Sequence, residues 1–542
     1  MTRSDNTGRV YGYVIVGAGP AGLQLSYFLQ QSGADYLTLE RGSGPAGFFR
    51  RFPRHRRLIS LNKVNTVSTD PEIRLRWDWN SLLNHSPDLL FPKFSGEYFP
   101  HADDLVRYLT EFQRLHGLAV RYDTTVTRIE RAEGTGGNSS DSGGAGNGSG
   151  GEGEFVVHTA QGTIRARCVI VAIGWGGPYI PPIRGIEHAV GYEDMKTDPA
   201  AFTGQRVLIV GKGNSAFETA NAILGHASMI HLASRRPLRL SWNTKHPGDV
   251  RAQHGGALLD SYQFKTLHSV LDCTIDEIRR VGDGFEVEIT YTHADGERAV
   301  LEYESVIRCT GFRMDTSIFG DECRPELLVD GRLPAVRPDW QSANVDGLYF
   351  AGTIAQVRDL KQASSAFIDG FRYNLRTFSA LLRERYDGVA LPYGELAAHE
   401  DALTELVLDR ANYSSALWTQ FEYLCDVLII DERTGQVRHY TDLPEDYAVE
   451  RFRDCAHYYT VTLRWGRAEY GDVFAIDRHP VPGRAEESAF IHPVVRRYDG
   501  GELVAERHLL EDLLAEWRRP ERHVEPLRAF FAAQLGAVGR SR

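Results

Sequence analysis

Apolar runs of strand length alternate with helical patterns at the start of the chain. Residues 13–16 (YVIV) are continuously apolar, GAGPAG follows at residues 17–22, and apolar positions then recur at helical spacing to residue 29. Another apolar run at residues 36–39 ends at the acidic Glu40. A strand, a glycine turn, a helix and a second strand in this order predict a βαβ unit with a parallel sheet.

The same arrangement recurs in the middle of the chain. Residues 207–210 (VLIV) lead into GKGNSA at residues 211–216, and residues 229–233 form the next apolar run. Two such units predict two Rossmann-like domains.

The last part of the chain has a different pattern. Residues 427–430 and 458–463 are predicted strands, whereas residues 509–517 and 524–535 have apolar positions at helical spacing. We find no catalytic constellation here. This part could cap the active site, form a dimer interface or supply a substrate ligand such as Arg438.

The first glycine turn has the features of a dinucleotide site. Gly17 permits a tight turn, Gly19 lets the backbone approach a pyrophosphate, and Gly22 lets helix and strand pack closely. Glu40 follows Gly17 by 23 residues, where a carboxylate accepts ribose hydroxyls. The predicted cofactor-binding residues of this site are Gly17, Gly19, Pro20, Ala21, Gly22, Glu40, Arg41 and Phe49.

The second turn differs where ribose specificity is set. Ser234 stands 23 residues after Gly211, in place of an acid, and two arginines follow it. Guanidinium groups bind phosphate, so this site suits the 2′-phosphate of NADPH; surface charge is the alternative interpretation. The predicted residues are Gly211, Gly213, Asn214, Ser215, Ser234, Arg235 and Arg236. Two dinucleotides together indicate a resident FAD that accepts hydride from NADPH.

These domains have predicted boundaries. We expect an FAD-binding domain in two parts, residues 1–186 and 326–398, around an NADPH-binding domain at residues 187–325. An α+β domain follows at residues 399–542. The Gly/Ser-rich segment 133–154 has too few apolar side chains to fold and is predicted to be a disordered loop. The fold class is therefore α/β with two Rossmann-like domains plus a C-terminal α+β domain.

The chain resembles the class B flavin-dependent monooxygenases. The resemblance rests on both glycine turns, on IVAIG at residues 170–174, on VIRCTGF at 306–312 and on GLYFAGT at 347–353. It adds Gly352 and Lys361 to the predicted cofactor residues. This sequence departs from the class fingerprint F-x-G-x-x-x-H-x-x-x: Gly185 and His188 are present, but not at the spacing that the fingerprint requires. That departure weakens a Baeyer–Villiger interpretation most.

Longer stretches resemble the family of FAD-dependent oxidoreductase domain-containing protein 2, flavoproteins of the endoplasmic reticulum. These are GFFRRFPRHRRLISLNK at residues 47–63, GNSAFETA at 213–220 and SAFIDGFRY at 365–373. Bacterial amino-acid N-oxygenases of the nitrosuccinate-forming, aspartate-oxidising type look similar in the same way.

The resemblance implies an activity. NADPH reduces FAD, the reduced flavin forms a C4a-hydroperoxide with O₂, and this intermediate transfers oxygen to a nucleophile. In flavin-containing monooxygenases an asparagine donor lies at the position that Asn62 matches, so Asn62 is the predicted donor and Lys63 a charge beside it. Capping of local backbone is the alternative for Asn62.

The substrate prediction comes from a basic stretch. Residues 50–63 contain five arginines, a lysine and no acid, in a chain of net charge −11. We expect Arg54, Lys63 and Arg358 to bind a small acidic amino acid, with L-aspartate first, which is oxygenated at nitrogen. Cofactor binding or a solvated face are alternatives. Residues 241–246 (SWNTKH) are a candidate lining of the interdomain cleft, with core packing as the alternative.

Composition excludes several other classes. The net charge gives no support for nucleic-acid binding, no run is long and apolar enough to span a membrane, and the polar first residues predict a cytoplasmic location. The six cysteines form no C-x-x-C pair and no metal-ligand spacing, so no metal is expected. A homodimer is possible. The rival functions are an S-oxygenase, a Baeyer–Villiger enzyme and a flavoprotein reductase or partner-binding redox protein.

Overall fold

Three β-sheets organise the chain in a computed structural model. The structure describes residues 8–132, 153–263, 268–466, 475–477 and 479–538, so most of the predicted loop 133–154 lies outside the described residues. The first two sheets carry the glycine turns, and the predicted α/β class with Rossmann-like domains is confirmed. Among the described helices, none combines the length and apolar character that a bilayer crossing requires.

The first sheet is built around the N-terminal strand. Its parallel strands are Val120–Arg121, Tyr36–Leu39, Val10–Val16, Gly162–Val171 and Leu348–Phe350, and its antiparallel strands are Phe155–Thr159 and Val126–Arg131. Tyr13, Val14 and Ile15 are fully buried. The strand Leu348–Phe350 comes from a later part of the chain, so two separate chain segments form this sheet.

Helices cover this sheet and surround the turn. They are Pro20–Gln31, Gly47–Arg51, Pro71–Leu75, Ala102–His116 and Ile368–Asp387. Helices Pro20–Gln31 and Ile368–Asp387 pack against one another. The start of the second of these helices is thereby placed beside the glycine turn.

The second sheet repeats the plan. Its parallel strands are Met229–Ser234, Arg206–Val210, Ser305–Arg308 and Val190–Gly191; strand Ser269–Val281 extends it and begins the antiparallel ribbon with Gly284–Tyr291 and Arg298–Tyr303. Its helices are Asn214–Ile223, Ser241–Thr244 and Ala252–Gln263. Two-stranded pairs join Gly177–Pro178 to Phe312–Arg313 and Leu327–Leu328 to Leu333–Pro334.

The third sheet is antiparallel and has six strands. In spatial order they are Gly394–Ala397, Gln436–Pro444, Leu424–Asp431, Tyr458–Arg464, His492–Asp499 and Glu502–His508. Helices Glu400–Tyr413, Ser415–Thr419, Glu445–Arg451 and Glu525–Val538 accompany it. Strand Gly394–Ala397 places the start of this sheet a few residues before the predicted boundary at 399.

The helix predicted at residues 509–517 is wrong. This segment is irregular, and Asp512 Oδ1 accepts hydrogen bonds from the backbone of Leu514 at 2.9 Å and of Glu516 at 3.2 Å. Such a local turn competes with helix formation. Ala515 also has φ +55°, outside the helical range. The apolar spacing of residues 509–517 arises because Leu509 and Trp517 are buried in the core of the domain.

Candidate active site

A cavity of about 870 Å³ begins at the first glycine turn, and we call it the dinucleotide cavity. It extends from the turn to Ala351 and Thr353 and reaches the first turn of helix Ile368–Asp387. The predicted residues that line it are Gly17, Gly19, Pro20, Ala21, Glu40, Arg41, Phe49, Asn214 and Ser215. Both nucleotide turns therefore contribute to one cavity.

The backbone at the first turn requires glycine. Gly17 has φ +108°, and a Cβ there would lie 2.6 Å from the carbonyl oxygen of Ala172. A Cβ at Gly22 would lie 1.9 Å from the carbonyl oxygen of Gly17. Around Gly19, by contrast, a Cβ would meet no described heavy atom within 4 Å. The turn is tight on its inner side and open where a pyrophosphate would approach.

Glu40 is held at the end of its strand. Its Oε2 accepts from the backbone N–H of Ala18 and its Oε1 from that of Gly42, each at 2.8 Å. This places a carboxylate beside the turn, as ribose binding requires. Gly352 lies under the helix start, since a Cβ there would come within 2.4 Å of Ala21 Cβ. These residues fit FAD.

The second turn has the same inner contact. Gly211 has φ +126°, and a Cβ there would lie 2.3 Å from the carbonyl oxygen of Cys309, whereas Gly213 opens to free space. Asn214 donates to the carbonyls of Gly248 at 3.0 Å and Asp249 at 3.2 Å, which ties the turn to the loop after the next helix.

The strand after this turn ends in a basic group. Ser234 Oγ donates to the carbonyl of Arg236, and Arg235 and Arg236 are both exposed. Neither guanidinium forms an ion pair with any described residue. Asp272, the carboxylate paired in register with Ser234, is neutralised by Lys212 of the turn. The group fits a 2′-phosphate, so these residues fit NADPH.

Replacing both Arg235 and Arg236 with alanine should change coenzyme preference. Losing charge-assisted bonds to the phosphate should raise the KM for NADPH by about 10- to 100-fold and leave the KM for NADH unchanged. Steady-state kinetics with both coenzymes measure this. Arg280→Ala, an exposed arginine on the ribbon of the same sheet, is the control. An equal loss with both coenzymes would contradict the assignment.

A second cavity, of about 1410 Å³, adjoins the first, and we call it the aromatic cavity. It exceeds the roughly 300–1,000 Å³ of ordinary ligand pockets. The first domain contributes Trp77, Trp79, Tyr98 and Phe99, the second Trp242, and the C-terminal domain Trp418, Phe421 and Trp465. All three domains therefore form its wall.

Cations of the aromatic cavity lie over its rings. Arg76 lies 4.5 Å from the Trp418 ring centroid, Lys245 4.9 Å from that of Trp465, and Arg251 4.9 Å from that of Trp79. Burial lowers the pKa of all three. A cation that has left bulk water and faces an apolar wall attracts an anionic group strongly.

The wall between the two cavities is thin. Trp79 lines both cavities. At the start of helix Ile368–Asp387, the N-cap Phe367 and Ile368 line the dinucleotide cavity, whereas Asp369 lines the aromatic cavity. The ring centroids of Trp79 and Phe367 are 6.5 Å apart. A substrate in the aromatic cavity would therefore lie next to the cofactor.

The predicted catalytic pair lies outside the residues that line either cavity. Asn62 is buried, and its amide donates to the carbonyls of Ser95 at 2.8 Å and Glu97 at 3.0 Å. Lys63 is exposed. A different asparagine, Asn80, lines the dinucleotide cavity.

The basic stretch is largely engaged by partners within the protein. Arg51 pairs with Asp194 at 2.9 Å, Arg56 pairs with Asp103 and Arg57 pairs with Glu97. Arg54 donates to the Met195 carbonyl at 2.8 Å. Arg51 and Arg57 do line the dinucleotide cavity, but the stretch forms no separate anion pocket among the described residues.

The later predicted cations also have internal partners. Arg358 pairs with Asp446 of the C-terminal domain, and Lys361 Nζ lies 2.6 Å from Asp249 of the second domain. Through these ion pairs each side chain connects two domains. Neither residue is among those that line the two cavities. Within residues 241–246, Trp242, Lys245 and His246 do line the aromatic cavity. Burial lowers the pKa of His246 to about 4, so its ring is neutral at neutral pH.

Sequence reasoning missed two buried carboxyls. Glu218 lines the dinucleotide cavity and accepts from the Tyr192 hydroxyl at 2.7 Å, and burial raises its pKa to about 7. Asp369 lines the aromatic cavity. An acid among apolar residues, as in AFIDGF at residues 366–371, was the available signal.

The cysteines provide no redox pair. All six are described, and none is joined in a disulfide. Five are buried, and burial raises the thiol pKa of Cys273 to about 11 and of Cys309 to about 12. Such thiols are poor nucleophiles.

Comparisons with known proteins agree with the two-turn architecture. A family model described as pyridine nucleotide-disulphide oxidoreductase matches residues 14–137 and 149–352. FAD-dependent oxidoreductase domain-containing protein 2 of Mus musculus is similar at 34% identity over 98% of this chain and 84% of the relative. The counterpart in Danio rerio is also 34% identical, over 96% and 82%.

Solved structures share the fold. A flavin-containing monooxygenase from Stenotrophomonas maltophilia aligns with TM-score 0.51 and 21% identity, over 70% of this chain and 99% of the other. FAD and NADPH are the cofactors that the family implies and that the two turns fit. The chain belongs to the pyridine nucleotide-disulphide oxidoreductase family, as an FAD- and NADPH-dependent oxidoreductase.

Proposed function

We propose that this protein is an NADPH- and O₂-dependent monooxygenase that oxygenates a primary amine carrying a carboxylate. The observation that carries the proposal is the aromatic cavity, because it offers a second substrate a place directly beside the cofactor cavity, behind Trp79. Bound FAD would supply the redox chemistry between NADPH and dioxygen. Among proteins of similar fold is a cadaverine monooxygenase from Erwinia amylovora, at TM-score 0.50 and 13% identity.

The residues of this chain would contribute binding and exclusion of water. The aromatic walls would hold the apolar part of the substrate. Trp79 and Phe367 would exclude water from the place where substrate and cofactor meet. The wall cations would bind the carboxylate. Asn80 lines the dinucleotide cavity, and its Oδ1 accepts a hydrogen bond from Ser60 Oγ at 2.6 Å. Its side chain would contact the bound cofactor there.

L-Aspartate remains within this proposal as a test compound. Its prediction came from residues 50–63 and Arg358, and these side chains have the internal partners described above. The support for a carboxylate now comes from the cations of the aromatic cavity instead. S-oxygenation and ketone oxygenation are tested with the same assay.

The proposal is tested by the fate of NADPH in the FAD-loaded protein. With a substrate amine present, NADPH consumption should accelerate, hydrogen peroxide should stay low and the product should gain one oxygen atom. If peroxide accounts for all the NADPH with every amine, sulfide and ketone, the monooxygenase proposal fails. Fast reduction of a one-electron acceptor together with that result would identify a reductase.

A further inference from the structure

A buried carboxyl faces the aromatic cavity from the wall that separates the two cavities. Asp369 is only 1% exposed, and its Oδ1 has no hydrogen-bond partner among the described residues. It sits in the first turn of helix Ile368–Asp387, where the preceding residue lines the dinucleotide cavity. A buried polar atom without a partner is costly, so it indicates a ligand that completes its bonding.

A guanidinium also lines the aromatic cavity. Arg251 stacks on Trp79, the ring that both cavities share, and its side chain makes no hydrogen bond or ion pair with the described residues. Arg251 and Asp369 interact electrostatically, yet no hydrogen bond joins them. The Arg251 guanidinium and the Asp369 Oδ1 thus line one cavity without a hydrogen-bond partner among the described residues.

The terminal nitrogens of the other cation near Asp369 have backbone partners, although its Nε has none among the described residues. Arg372, buried on the same helix, donates to the carbonyls of Leu75, Asp78 and Ser81. Burial raises the pKa of Asp369 to about 7, against the opposing effect of Arg372 and Arg251.

The remaining cavity charges also have partners. Arg76 donates to the Asn412 carbonyl, although its Nε has no hydrogen-bond partner among the described residues, and Arg518 pairs with Glu405 and Asp409. Lys245 donates to the Gly466 carbonyl at 3.3 Å. Glu516 is exposed, and His246 accepts from the Gly248 N–H at 3.0 Å. Arg251 is the cavity cation whose whole guanidinium lacks a hydrogen bond or ion pair with the described residues. Arg251 and Asp369 are therefore the pair of charges most available to a ligand.

We propose that Arg251 and Asp369 bind the head group of an aromatic α-amino acid, Arg251 its carboxylate and Asp369 its ammonium. This deepens the proposed function and rests on it. A carboxylate and an ammonium on one carbon match a guanidinium and a carboxyl that line one cavity. The ring-lined remainder of the cavity suits an aromatic side chain, since aromatic pairs add stabilisation beyond burial.

Asp369 also acts as a base in this arrangement. An ammonium has no lone pair and cannot attack an oxygen donor, so one N–H proton passes to the Asp369 carboxylate and the nitrogen keeps the electron pair. The overall reaction is R–NH₂ + O₂ + NADPH + H⁺ → R–NHOH + NADP⁺ + H₂O. Nitrogen is oxidised, NADPH supplies two electrons, and one dioxygen atom leaves as water. A base near neutral pKa suits this proton transfer.

Binding is measured first, on the oxidised FAD-loaded protein without NADPH. Calorimetry with L-tryptophan, L-tyrosine and L-phenylalanine should show binding of at least one, and Arg251→Gln should raise its Kd by about 10- to 100-fold. The matching decarboxylated amine should bind equally to both proteins. Arg518→Gln, whose guanidinium is already ion-paired, is the matched control. No binding of any aromatic amino acid, or an unchanged Kd in Arg251→Gln, overturns the proposal.

The pH profile tests the base. Wild-type kcat/KM should rise as pH increases through about 7, where Asp369 loses its proton. Asp369→Asn should lose about 100-fold or more at neutral pH. Its rate should recover as pH rises toward the pKa of the substrate ammonium, because the free amine then forms in solution. A merely structural residue would not give this recovery. Glu322→Gln, at an exposed carboxyl that lines neither cavity, should match wild type.

The outcomes separate this inference from the proposed function. Aromatic amino acids that bind through Arg251 but are not oxygenated would contradict the monooxygenase and leave the head-group site standing. Oxygenation of L-aspartate or another amine that is indifferent to both variants would support the monooxygenase and overturn the head-group site.

Discussion

Gly22→Val should yield a protein that purifies without bound FAD. A Cβ at this position would lie 1.9 Å from the Gly17 carbonyl oxygen and 3.0 Å from its carbon, both backbone atoms of the turn itself. The side chain cannot be accommodated unless the turn opens, which moves the open face at Gly19 and the helix N-terminus together. We expect FAD affinity to fall by about 100-fold or more, equivalent to roughly 3 kcal/mol. The flavin absorbance of the purified protein measures it.

The matched control is Gly33→Asn. Gly33 ends the same helix region with φ +71°, and a Cβ there meets no described heavy atom within 4 Å. Asparagine tolerates this conformation, so the variant should remain fully yellow. NADPH binding to Gly22→Val, followed by coenzyme fluorescence, shows whether the second domain is still folded. A yellow Gly22→Val protein would contradict the assignment of the first turn to FAD.

Arg410→Ala should destabilise the C-terminal domain more than any surface substitution. Arg410 bonds Asp426 through Nε at 2.5 Å and Asp442 at 2.9 Å, and both carboxylates are 1% exposed. Burial opposes ionisation of Asp426, but Arg410 and His439 outweigh it and hold its pKa well below the usual range. Without the guanidinium, Asp426 keeps only His439 and Asp442 keeps only Arg376 as a charged partner. The buried negative charge is then under-compensated, at a cost of up to about 3–5 kcal/mol.

Hydrogen exchange in strands Leu424–Asp431 and Gln436–Pro444 measures this loss locally. A depressed folded-state pKa contributes stability above the unfolded value of about 3.9, and that contribution is lost as pH falls. The difference between variant and wild type should therefore shrink toward acid pH. Arg528→Ala removes an exposed pair with Asp401 at 2.5 Å and should cost under about 1 kcal/mol. Equal effects of the two substitutions would contradict the role of the buried network.

The nucleotide sites could be predicted because their signal is local in the chain. A strand, glycines at fixed spacing and a helix follow one another within about twenty residues, and each glycine has a backbone reason to be there. Gly17, Gly22 and Gly211 have the close backbone contacts that the pattern predicts. The difference between Glu40 and Ser234 at corresponding positions is equally local.

The aromatic cavity could not be predicted because its residues are distant in sequence. Trp79, Arg251, Asp369, Trp418 and Trp465 come from five separate segments of three domains. No periodicity or spacing connects them, and only the folded structure brings them together around one cavity.

The internal partners of the basic stretch could not be predicted for a related reason. Clustered arginines form an anion site only when no acid of the folded protein neutralises them. Here the acids that neutralise them, Glu97, Asp103 and Asp194, come later in the chain. At residues 509–517 apolar spacing alone predicted a helix, but the side chain of Asp512 stabilises a turn.

Turnover under isotopically labelled dioxygen, with NADPH and an aromatic amino acid, tests the central claim most directly. The account predicts a hydroxylamine product that carries one labelled oxygen, formed in proportion to the NADPH consumed and with little peroxide. A product without label, or NADPH consumption that ends entirely in labelled peroxide for every amine offered, would contradict it.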